Sequence, residues 1–442
     1  MKQKIRTAVF ASLLSCLYSI GYSQPSSMKP LTTIQLKDFA FSKEDRLKAS
    51  VYNNYLVLFR ANNKLSVFDL SNSEFSFNYA TNNSDLISGF TIIKKELFII
   101  QSGNFITINL DSGNVISSVH IPEWKKDQEF YSDLDSEFNH KGPIAVLPNG
   151  IIAFGSLGGN FFKGWSGNVF RYDTEKKIFL DTIAANKGVG NPISYNNNML
   201  YFGYRSSVQA MDPITGKLLW SSELDKNQHQ SMPVFHNDLI IIQNGEAPQS
   251  SGTGIHASGS FGDGYLNIMD SKTGSLKWKV KINNYGNPVI QGNCIATTSW
   301  KLFGGRRFKG FDLNSGKELW DYSKLKSEKL IAAGGHFYVD AGNGNVHELS
   351  PETGVISGVI KSSGYLLDLA TPKLSTIATV VSKNNDTYIN FFQVPDKTLK
   401  GELIIPNTPE FKHIFDKGIL ILIKSASPNN LDASITLYAI PQ

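Results

Sequence analysis

Cysteine is nearly absent from this chain. Only Cys16 and Cys294 occur among the 442 residues, and Cys16 lies within an apolar N-terminal segment. If that segment is removed on export, one thiol is left and no intrachain disulfide can form. Stability must then come from packing and hydrogen bonding. The same scarcity excludes redox or zinc motifs of the CxxC type.

Long apolar runs are missing after residue 23. Nothing there approaches the roughly 18 to 20 apolar residues that a membrane-spanning helix needs. Residues 1–23 instead follow a signal-peptide pattern: a basic start, an apolar run, and small residues before Gln24. We therefore predict a signal peptide over 1–23, a single domain over 24–442, and an extracytoplasmic location, either periplasmic or secreted. A loose lipobox at Cys16 leaves a lipid anchor there as an alternative.

A strong excess of one charge sign is also lacking. The formal net charge is +5, and loss of Lys2, Lys4 and Arg6 with the leader lowers it to +2. This balance argues against nucleic acid as a partner. GxSxG elbows, phosphate-binding loops and HExxH motifs are absent from the sequence. The common hydrolase and nucleotide-binding signatures are thus excluded.

A short pattern recurs along the chain. Three segments share an Asp, a Thr or Ser three residues later, a Gly four residues later and a Trp eight residues later: VQAMDPITGKLLW (208–220), LNIMDSKTGSLKW (266–278) and FKGFDLNSGKELW (308–320). Weaker copies lie at 65–77, 105–117, 169–181 and 346–358, and a faint one lies at 391–403. The sequence is therefore repetitive over most of its length.

Each residue of the pattern has a structural explanation. The flanking residues alternate between apolar and polar, which predicts two strands of a β-hairpin. The Asp carboxylate can accept bonds from turn N–H groups two or three residues on, and Gly can adopt the positive φ that such a turn requires. The Trp lies on the outgoing strand, where a large ring can pack against the next repeat. We expect these residues to build the fold and to take no part in chemistry.

The spacing of the repeats predicts an all-β fold, a β-propeller. Two further short apolar runs precede nearly every hairpin, giving four antiparallel strands per unit of roughly forty to fifty residues. The count favours eight blades and leaves seven or nine open, because the unit around 391–403 is weak. The N-terminal TTIQLKDF (32–39) and the C-terminal ASITLYAIPQ (433–442) each read as strands without a hairpin partner. We expect these two strands to pair and close the ring.

The AxDxxTGxxxW pattern resembles the pyrroloquinoline quinone (PQQ) repeat of the quinoprotein β-propellers, over about 33–440. That superfamily includes PQQ- and calcium-dependent alcohol dehydrogenases. It also includes cofactor-free scaffolds, such as the propeller lipoprotein of the outer-membrane β-barrel assembly machine. The dehydrogenases commonly carry two adjacent cysteines beside the quinone, whereas Cys294 stands alone in QGNCIATT. The resemblance therefore implies a fold closer to the cofactor-free members, with no catalytic residue to transfer.

Two insertions and one basic pair are candidate ligand surfaces. The first insertion (155–172) places aromatic side chains among glycines, and the second (244–266) is rich in Gly and Ser. Such loops can grip a peptide or a sugar, while local packing is the alternative for the aromatics and a solvated hairpin tip for the basic pair. The candidate residues are Phe161, Phe162, Trp165, His256, Arg306 and Arg307.

The leading functional prediction is a non-enzymatic propeller that binds a protein or polymeric ligand through its face loops. We expect a monomer without a cofactor, a metal or a catalytic residue. One alternative is a quinoprotein oxidoreductase that uses PQQ and calcium, with its site assembled from residues distant in sequence. A second alternative is a carbohydrate-binding propeller.

Overall fold

The structure is a computed structural model. It describes residues 26–36, 47–52, 54–60, 64–72, 74–80, 87–123, 128–129, 144–160, 164–190, 193–225, 229–231, 233–245, 264–282, 288–301, 305–323, 329–342, 344–367, 375–394, 396–406, 411–416, 418–427 and 430–441. Within these ranges no helix is long and apolar enough to cross a membrane.

The described residues form nine sheets, which we number as blades 1 to 9 along the chain, and their strands pair antiparallel except for the first strand of the chain, which pairs in parallel at the edge of blade 8. Two strands precede blade 1 and join later blades: β1 (Ser26–Ser27) and β2 (Pro30–Leu36). Blade 1 contains β3 (Leu47–Tyr52), β4 (Tyr55–Arg60), β5 (Lys64–Asp69) and β6 (Glu74–Ala80). Blade 2 contains β7 (Ile87–Ile93), β8 (Glu96–Gln101), β9 (Asn104–Asn109) and β10 (Val115–His120).

Blades 3 to 5 include two enlarged sheets. Blade 3 contains β11 (Gln128–Glu129), β12 (Ile144–Val146), β13 (Ile151–Gly155), β14 (Leu157–Asn160), β15 (Gly164–Asp173) and β16 (Ile178–Asn186). Blade 4 contains β17 (Ser194–Asn196), β18 (Met199–Tyr204), β19 (Ser207–Met211) and β20 (Leu218–Glu223). Blade 5 contains β21 (His229–Gln230), β22 (Val234–His236), β23 (Leu239–Gly245), β24 (Gly264–Asp270) and β25 (Leu276–Ile282).

Blades 6 to 9 complete the series. Blade 6 contains β26 (Val289–Gln291), β27 (Cys294–Lys301), β28 (Gly305–Asp312) and β29 (Glu318–Tyr322). Blade 7 contains β30 (Leu330–Ala333), β31 (His336–Asp340), β32 (Asn345–Leu349) and β33 (Ile356–Lys361). Blade 8 contains β34 (Tyr365–Leu367), β35 (Thr376–Lys383), β36 (Asp386–Gln393) and β37 (Thr398–Ile405). Blade 9 contains β38 (Phe411–Asp416), β39 (Ile419–Ser427) and β40 (Asn430–Ala439), with β2 as its fourth strand.

Each pair of consecutive blades shares one apolar core. The middle strands are buried on both faces, so alternate residues of one strand pack against the preceding blade and the following blade. In β4, Leu56 and Leu58 pack in the core shared with blade 9, while Val57 and Phe59 pack in the core shared with blade 2. Nine such cores link blade 1 to blade 2 and so on around to blade 9 and back to blade 1. The sheets therefore form a closed ring.

The predicted ring closure is confirmed. Strand β2 pairs antiparallel with β40, with Ile34 opposite Ile435 and Leu36 opposite Ala433. Blade 9 is thus built from both ends of the chain. The first strands of neighbouring blades approach one another, as β3 approaches β38 and β26 approaches β30. These first strands lie nearest the ring axis, and the fourth strands lie on the outer rim.

The preferred count of eight blades is wrong, because the ring has nine. The weak unit around 391–403 is a complete hairpin of blade 8 that lacks the repeat's Gly and Trp. Lys397 adopts the positive φ (59°) at its turn, and Gly401 occupies the position of the Trp. Blade 9 contains no such turn at all, since its outer strand comes from the N-terminus.

Candidate functional site

The turn Asp of each intact repeat caps its own hairpin. Asp212 Oδ1 accepts hydrogen bonds from the N–H groups of Ile214 at 2.7 Å and Thr215 at 2.8 Å. Asp312 Oδ1 accepts the same pair of bonds, from Asn314 at 3.2 Å and Ser315 at 2.7 Å. The hydroxyl and N–H of Ser315 hold the pKa of Asp312 below its ordinary value. These carboxylates are engaged in turn formation, as the sequence predicts.

The repeat tryptophans dock on the next blade. The indole N–H of Trp220 donates to Ser271 O at 3.1 Å, and that of Trp278 donates to Leu313 O at 2.9 Å. The indole N–H of Trp320 likewise donates to Pro351 O at 2.7 Å. Each acceptor is the residue directly after the position of the turn Asp in the next blade. We call the interface between consecutive blades a joint. One tryptophan therefore bridges the two blades in each of joints 4–5, 5–6 and 6–7.

Two structural constraints favour glycine at the fourth residue after the position of the turn Asp. Gly274, Gly316 and Gly354 adopt φ between 64° and 72°, a region that side chains with a Cβ rarely occupy. The tryptophan of the preceding blade also lies directly against each of them. A Cβ on Gly354 would lie 2.6 Å from Trp320 Cγ. The Gly and Trp of neighbouring repeats thus form a single contact.

An ion pair replaces the tryptophan in joint 3–4. Asp181 occupies the Trp position of blade 3, and Arg171 lies beside it on β15, only 3% exposed. Arg171 donates from Nε to Asp181 Oδ1 at 2.7 Å and from Nη1 to Pro213 O at 2.7 Å. Pro213 directly follows the turn Asp of blade 4, so the guanidinium bonds the same carbonyl that an indole bonds elsewhere.

A second ionic arrangement lies in joint 7–8. The Trp position is Gly358, and the side chain of Lys397 from blade 8 occupies the freed space. Lys397 Nζ lies 3.0 Å from Oε2 of Glu348, which is 3% exposed. Ser357 Oγ also donates to Glu348, at 2.7 Å. Burial alone would raise the pKa of Glu348, but the bonds from Ser357 and Lys397 bring that pKa below its ordinary value.

Joint 8–9 is completed by the N-terminal segment. Gly401 occupies the Trp position, and the side chain of Met28 lies against it, with Met28 Cγ 3.3 Å from where a Cβ would be. Met28 packs on the core shared by blades 8 and 9. It is carried there by β1, which pairs in parallel with β37 on the outer edge of blade 8.

Joint 4–5 contains a cleft. It has a volume of about 240 Å³ and lies between the outer strand β20 of blade 4 and the β24–β25 hairpin of blade 5. Its lining consists of Ser222, Glu223, Leu224, Asp225, Asn267, Met269, Gly274 and Leu276. We call it the 4–5 cleft. It combines an apolar floor with amide, hydroxyl and carboxylate groups, which is the usual composition of a binding pocket.

The 4–5 cleft exists because two repeat positions carry small side chains. Two residues after the Trp, blade 4 has Ser222 where blades 5 and 6 have Val280 and Tyr322. In joint 6–7, Tyr322 fills the space and bonds His347 Nδ1 at 2.5 Å. The position of His347 is held by Asn267 in blade 5, which is 2% exposed and donates to Asn244 Oδ1 at 2.7 Å.

Two ion pairs flank the 4–5 cleft. Glu223 pairs with Lys187 at 2.9 Å, and Asp225 pairs with Lys279. Both pairs are largely exposed, so each contributes little to stability. The hydrogen bond from Lys187 lowers the pKa of Glu223. Both carboxylates are therefore already matched by lysines.

Most of the residues predicted as a ligand surface lie outside the described structure or are described only in their backbone. Phe161, Phe162 and His256 lie outside the described residues, as do the signal peptide and Cys16. Trp165 belongs to β15 and pairs with Gly159, so the described residues of this insertion include the antiparallel strands β14 and β15. The role of these candidates as a ligand surface stays a prediction.

The basic pair lies within a strand and not at a hairpin tip. Arg306 and Arg307 belong to β28, opposite Trp300 and Ser299 of β27. Arg307 forms an ion pair with Asp321 of the neighbouring strand β29. This contact accounts for its charge within blade 6, while Arg306 is described only in its backbone.

The described residues contain no group of three His, Cys, Asp or Glu side chains placed to hold a metal ion. A calcium ion beside a quinone needs several converging oxygen ligands and a stacking aromatic ring. The described part of the chain offers no acidic ligand set of that kind. Its Cys294 thiol is buried, and burial raises the pKa of this thiol to about 12.

Sequence reasoning missed the 4–5 cleft, although a signal was available. Aligning the three intact repeats shows a Ser, a Val and a Tyr two residues after the Trp, so the small residue stands out. It also missed the Arg171–Asp181 pair. That pair was visible as a charged residue at the Trp position with an opposite charge ten residues earlier.

Comparison with known proteins supports this fold. Residues 204–358 match the family model described as outer membrane protein assembly factor BamB. Two Pseudomonas putida proteins, quinoprotein ethanol dehydrogenase and quinoprotein alcohol dehydrogenase PedE of strain KT2440, are each 22% identical over 295 residues. These alignments cover 64% of this chain but only 42% and 41% of the two relatives. The chain therefore spans less than half the length of those enzymes.

Two solved structures align over most of this chain. BamB from Moraxella catarrhalis aligns with a TM-score of 0.48 and 15% identity over 94% of this chain and 98% of that one. A europium-containing methanol dehydrogenase aligns with a TM-score of 0.50 and 11% identity over 92% and 93%. At such identities the methanol dehydrogenase likeness concerns the fold alone. The repeats, the closed ring of sheets and the family model matched over residues 204–358 all support the resemblance to the PQQ-repeat β-propeller superfamily.

Proposed function

We propose that this propeller is an extracytoplasmic, non-enzymatic scaffold that binds a protein partner. The observation that carries the proposal is the use of the repeat's polar and aromatic residues. The turn aspartates form hydrogen bonds within their own blades. The tryptophans, and the ion pair that takes the place of a tryptophan in joint 3–4, stabilise the contacts between blades. They support a rigid ring whose surface is available for recognition.

The matched family model supports a protein partner. Its description is an outer membrane protein assembly factor, and the match runs from Tyr204 in blade 4 to Gly358 in blade 7. An extracytoplasmic location agrees with that description and with the predicted signal peptide. The proposed partner is therefore a protein that takes part in outer-membrane protein assembly.

The test combines a negative and a positive measurement on the mature chain, residues 24–442. Titration with PQQ and calcium should show no saturable change in quinone absorbance and no dye-linked alcohol oxidation. Reversible cross-linking in the source cells, followed by mass spectrometry, should recover outer-membrane assembly proteins in stoichiometric amounts. Saturable quinone binding with turnover would overturn the proposal.

A quinoprotein oxidoreductase is the second candidate, favoured by the 22% identity to the two Pseudomonas putida enzymes. Its quinone and calcium would have to be held by residues from several blades. The same titration decides between the candidates. The carbohydrate-binding alternative stays a prediction for the insertion around Trp165, and glycan binding that survives Trp165→Ala would reject that insertion as its site.

A further inference from the structure

The chain itself shows how an outer blade edge accepts an added strand. Strand β1 pairs with β37, with Ser26 opposite Gly401 and Ser27 opposite Glu402. The N–H of Met28 donates to Glu402 O at 3.3 Å. The side chain of Met28 then enters the joint at the place where Gly401 leaves room.

Blade 4 presents an equivalent edge. Among the described residues, β20 is the last strand of its sheet. The N–H of Leu224 donates to Ser206 O, toward the sheet interior. Because backbone groups alternate in direction along a strand, those of Ser221 and Glu223 point outward. Ser221 follows the Trp position by one residue, as Glu402 does in blade 8, so its carbonyl is the counterpart of the one that bonds Met28.

The 4–5 cleft lies beside this edge and has the size of a side-chain pocket. Its volume of about 240 Å³ is below the roughly 300 to 1,000 Å³ of small-molecule sites. Leu224 and Met269 supply buried apolar surface, being 7% and 1% exposed. The two carboxylates at the cleft are paired with lysines, so no uncompensated charge selects for a charged side chain.

We infer that the outer edge of blade 4 binds an extended segment of a partner polypeptide, which pairs with β20 and places one apolar side chain in the 4–5 cleft. Strand addition supplies main-chain hydrogen bonds, and the pocket supplies selectivity. This inference rests on the proposed scaffold function and names the surface that the scaffold uses. The partner segment is therefore expected to be extended, to have apolar residues at alternate positions, and to use its backbone groups to pair with β20.

The experiment uses a photo-cross-linking residue at Leu219, which is 44% exposed on β20, in the full chain expressed in its source cells. The expected result is an adduct whose cross-linked peptide, identified by mass spectrometry, is an extended apolar segment of another protein. Ser222→Tyr copies Tyr322 and should fill the cleft. Ser221→Pro removes an outward N–H while leaving the bonds to β19 intact. Each variant should lower the adduct yield by about tenfold or more.

The matched control is Ser118→Pro on β10. Ser118 is exposed and also points its N–H outward, because Ile121 N bonds inward to Gly103 O. With the reporter at Leu219, this variant should leave the adduct yield unchanged. All three variants must retain the wild-type circular dichroism spectrum. An adduct that persists in Ser221→Pro rejects strand pairing, and one that persists in Ser222→Tyr rejects side-chain insertion.

Two further outcomes would overturn the inference. Absence of an adduct at Leu219, or an adduct only with a second copy of this chain, excludes a partner strand on blade 4. A second reporter at the exposed Ser102, on the opposite end of the sheets from the repeat turns, separates the two proposals. Partner adducts at Ser102 without adducts at Leu219 would reject this inference and leave the scaffold function standing. Their absence at both positions would contradict both.

Discussion

In joints 4–5, 5–6 and 6–7 a tryptophan docks on the next blade, whereas joints 3–4 and 7–8 each contain an ion pair with one buried partner, Arg171 or Glu348. In joint 3–4 the guanidinium of Arg171 reaches Pro213 O, the same backbone position that Trp220 reaches in joint 4–5. Met28 fills the same place in joint 8–9 without a side-chain donor. The ring therefore requires a filled volume at this place and accepts more than one chemistry. The Trp position of the repeat therefore marks a place where a side chain must fill the joint, and residue types other than Trp can do so.

The two chemistries should differ in how they respond to conditions. An indole packed on a Gly contributes mainly by burial and one neutral hydrogen bond, which depend little on pH. A buried ion pair balances a desolvation cost against attraction, so it depends on both partners remaining charged. Substitutions in the two kinds of joint should therefore change the unfolding free energy in different ways as the pH changes.

The largest effect is expected at a tryptophan joint. Trp320→Ala removes a side chain that is 7% exposed, together with its bond to Pro351 O. We expect a loss of about 4 kcal/mol of unfolding free energy, since a cavity remains against Gly354. Urea unfolding followed by tryptophan fluorescence and circular dichroism measures it. Trp320→Phe should recover most of the loss, and an equal loss in both variants would contradict the packing explanation.

A slightly smaller effect is expected at the ionic joint 3–4. Asp181→Ala leaves Arg171 buried with its charge uncompensated, so we expect a loss of about 3 kcal/mol. The double variant Arg171→Met/Asp181→Leu should be more stable than Asp181→Ala alone, because no buried charge remains. A double-mutant cycle in urea gives the coupling between the two positions. Additive losses would show that the two side chains do not act as a pair.

The contribution of joint 7–8 to stability should depend on pH, whereas that of a tryptophan joint should not. The lowered pKa of Glu348 means that its charged form stabilises the fold above the ordinary value of 4.5 and that this contribution is lost as pH falls through the folded value. The stability difference between wild type and Glu348→Gln should be largest at neutral pH and shrink below about pH 4.5. Unfolding free energies at several pH values measure it. The difference between wild type and Trp220→Phe should stay constant over the same range.

The smallest effect is expected at a turn. Asp312→Ala removes the acceptor for two turn N–H groups and should cost about 1 kcal/mol. Asp312→Asn keeps an acceptor and should cost less. The urea midpoint of each variant provides the measurement. A loss as large as that of Trp320→Ala would mean that the turns, and not the joints, limit the stability of the ring.

The fold was largely predictable, because its information is local. Alternating apolar residues, turn aspartates and the spacing of the tryptophans lie close together in sequence, and the closing pair β2–β40 follows from two strands without partners. Eight blades were favoured over nine because blade 8 carries Lys397 and Gly401 at the Gly and Trp positions of the repeat, and Met28, which lies against Gly401, is far away in sequence. The candidate surface residues were less predictable, since nothing in their spacing defines what they contact.

By itself the sequence determined the β-propeller class, the tryptophan docking and the closure of the ring, because strand periodicity and turn chemistry act over a few residues. Only the tertiary structure decided the number of blades, the ionic joints and the 4–5 cleft. Each of these depends on whether side chains from two different blades together fill the space between them. The volume of the 4–5 cleft, for example, depends on residues such as Ser222 and Asn267, which lie about one blade apart in sequence. Only the folded structure brings these residues next to each other.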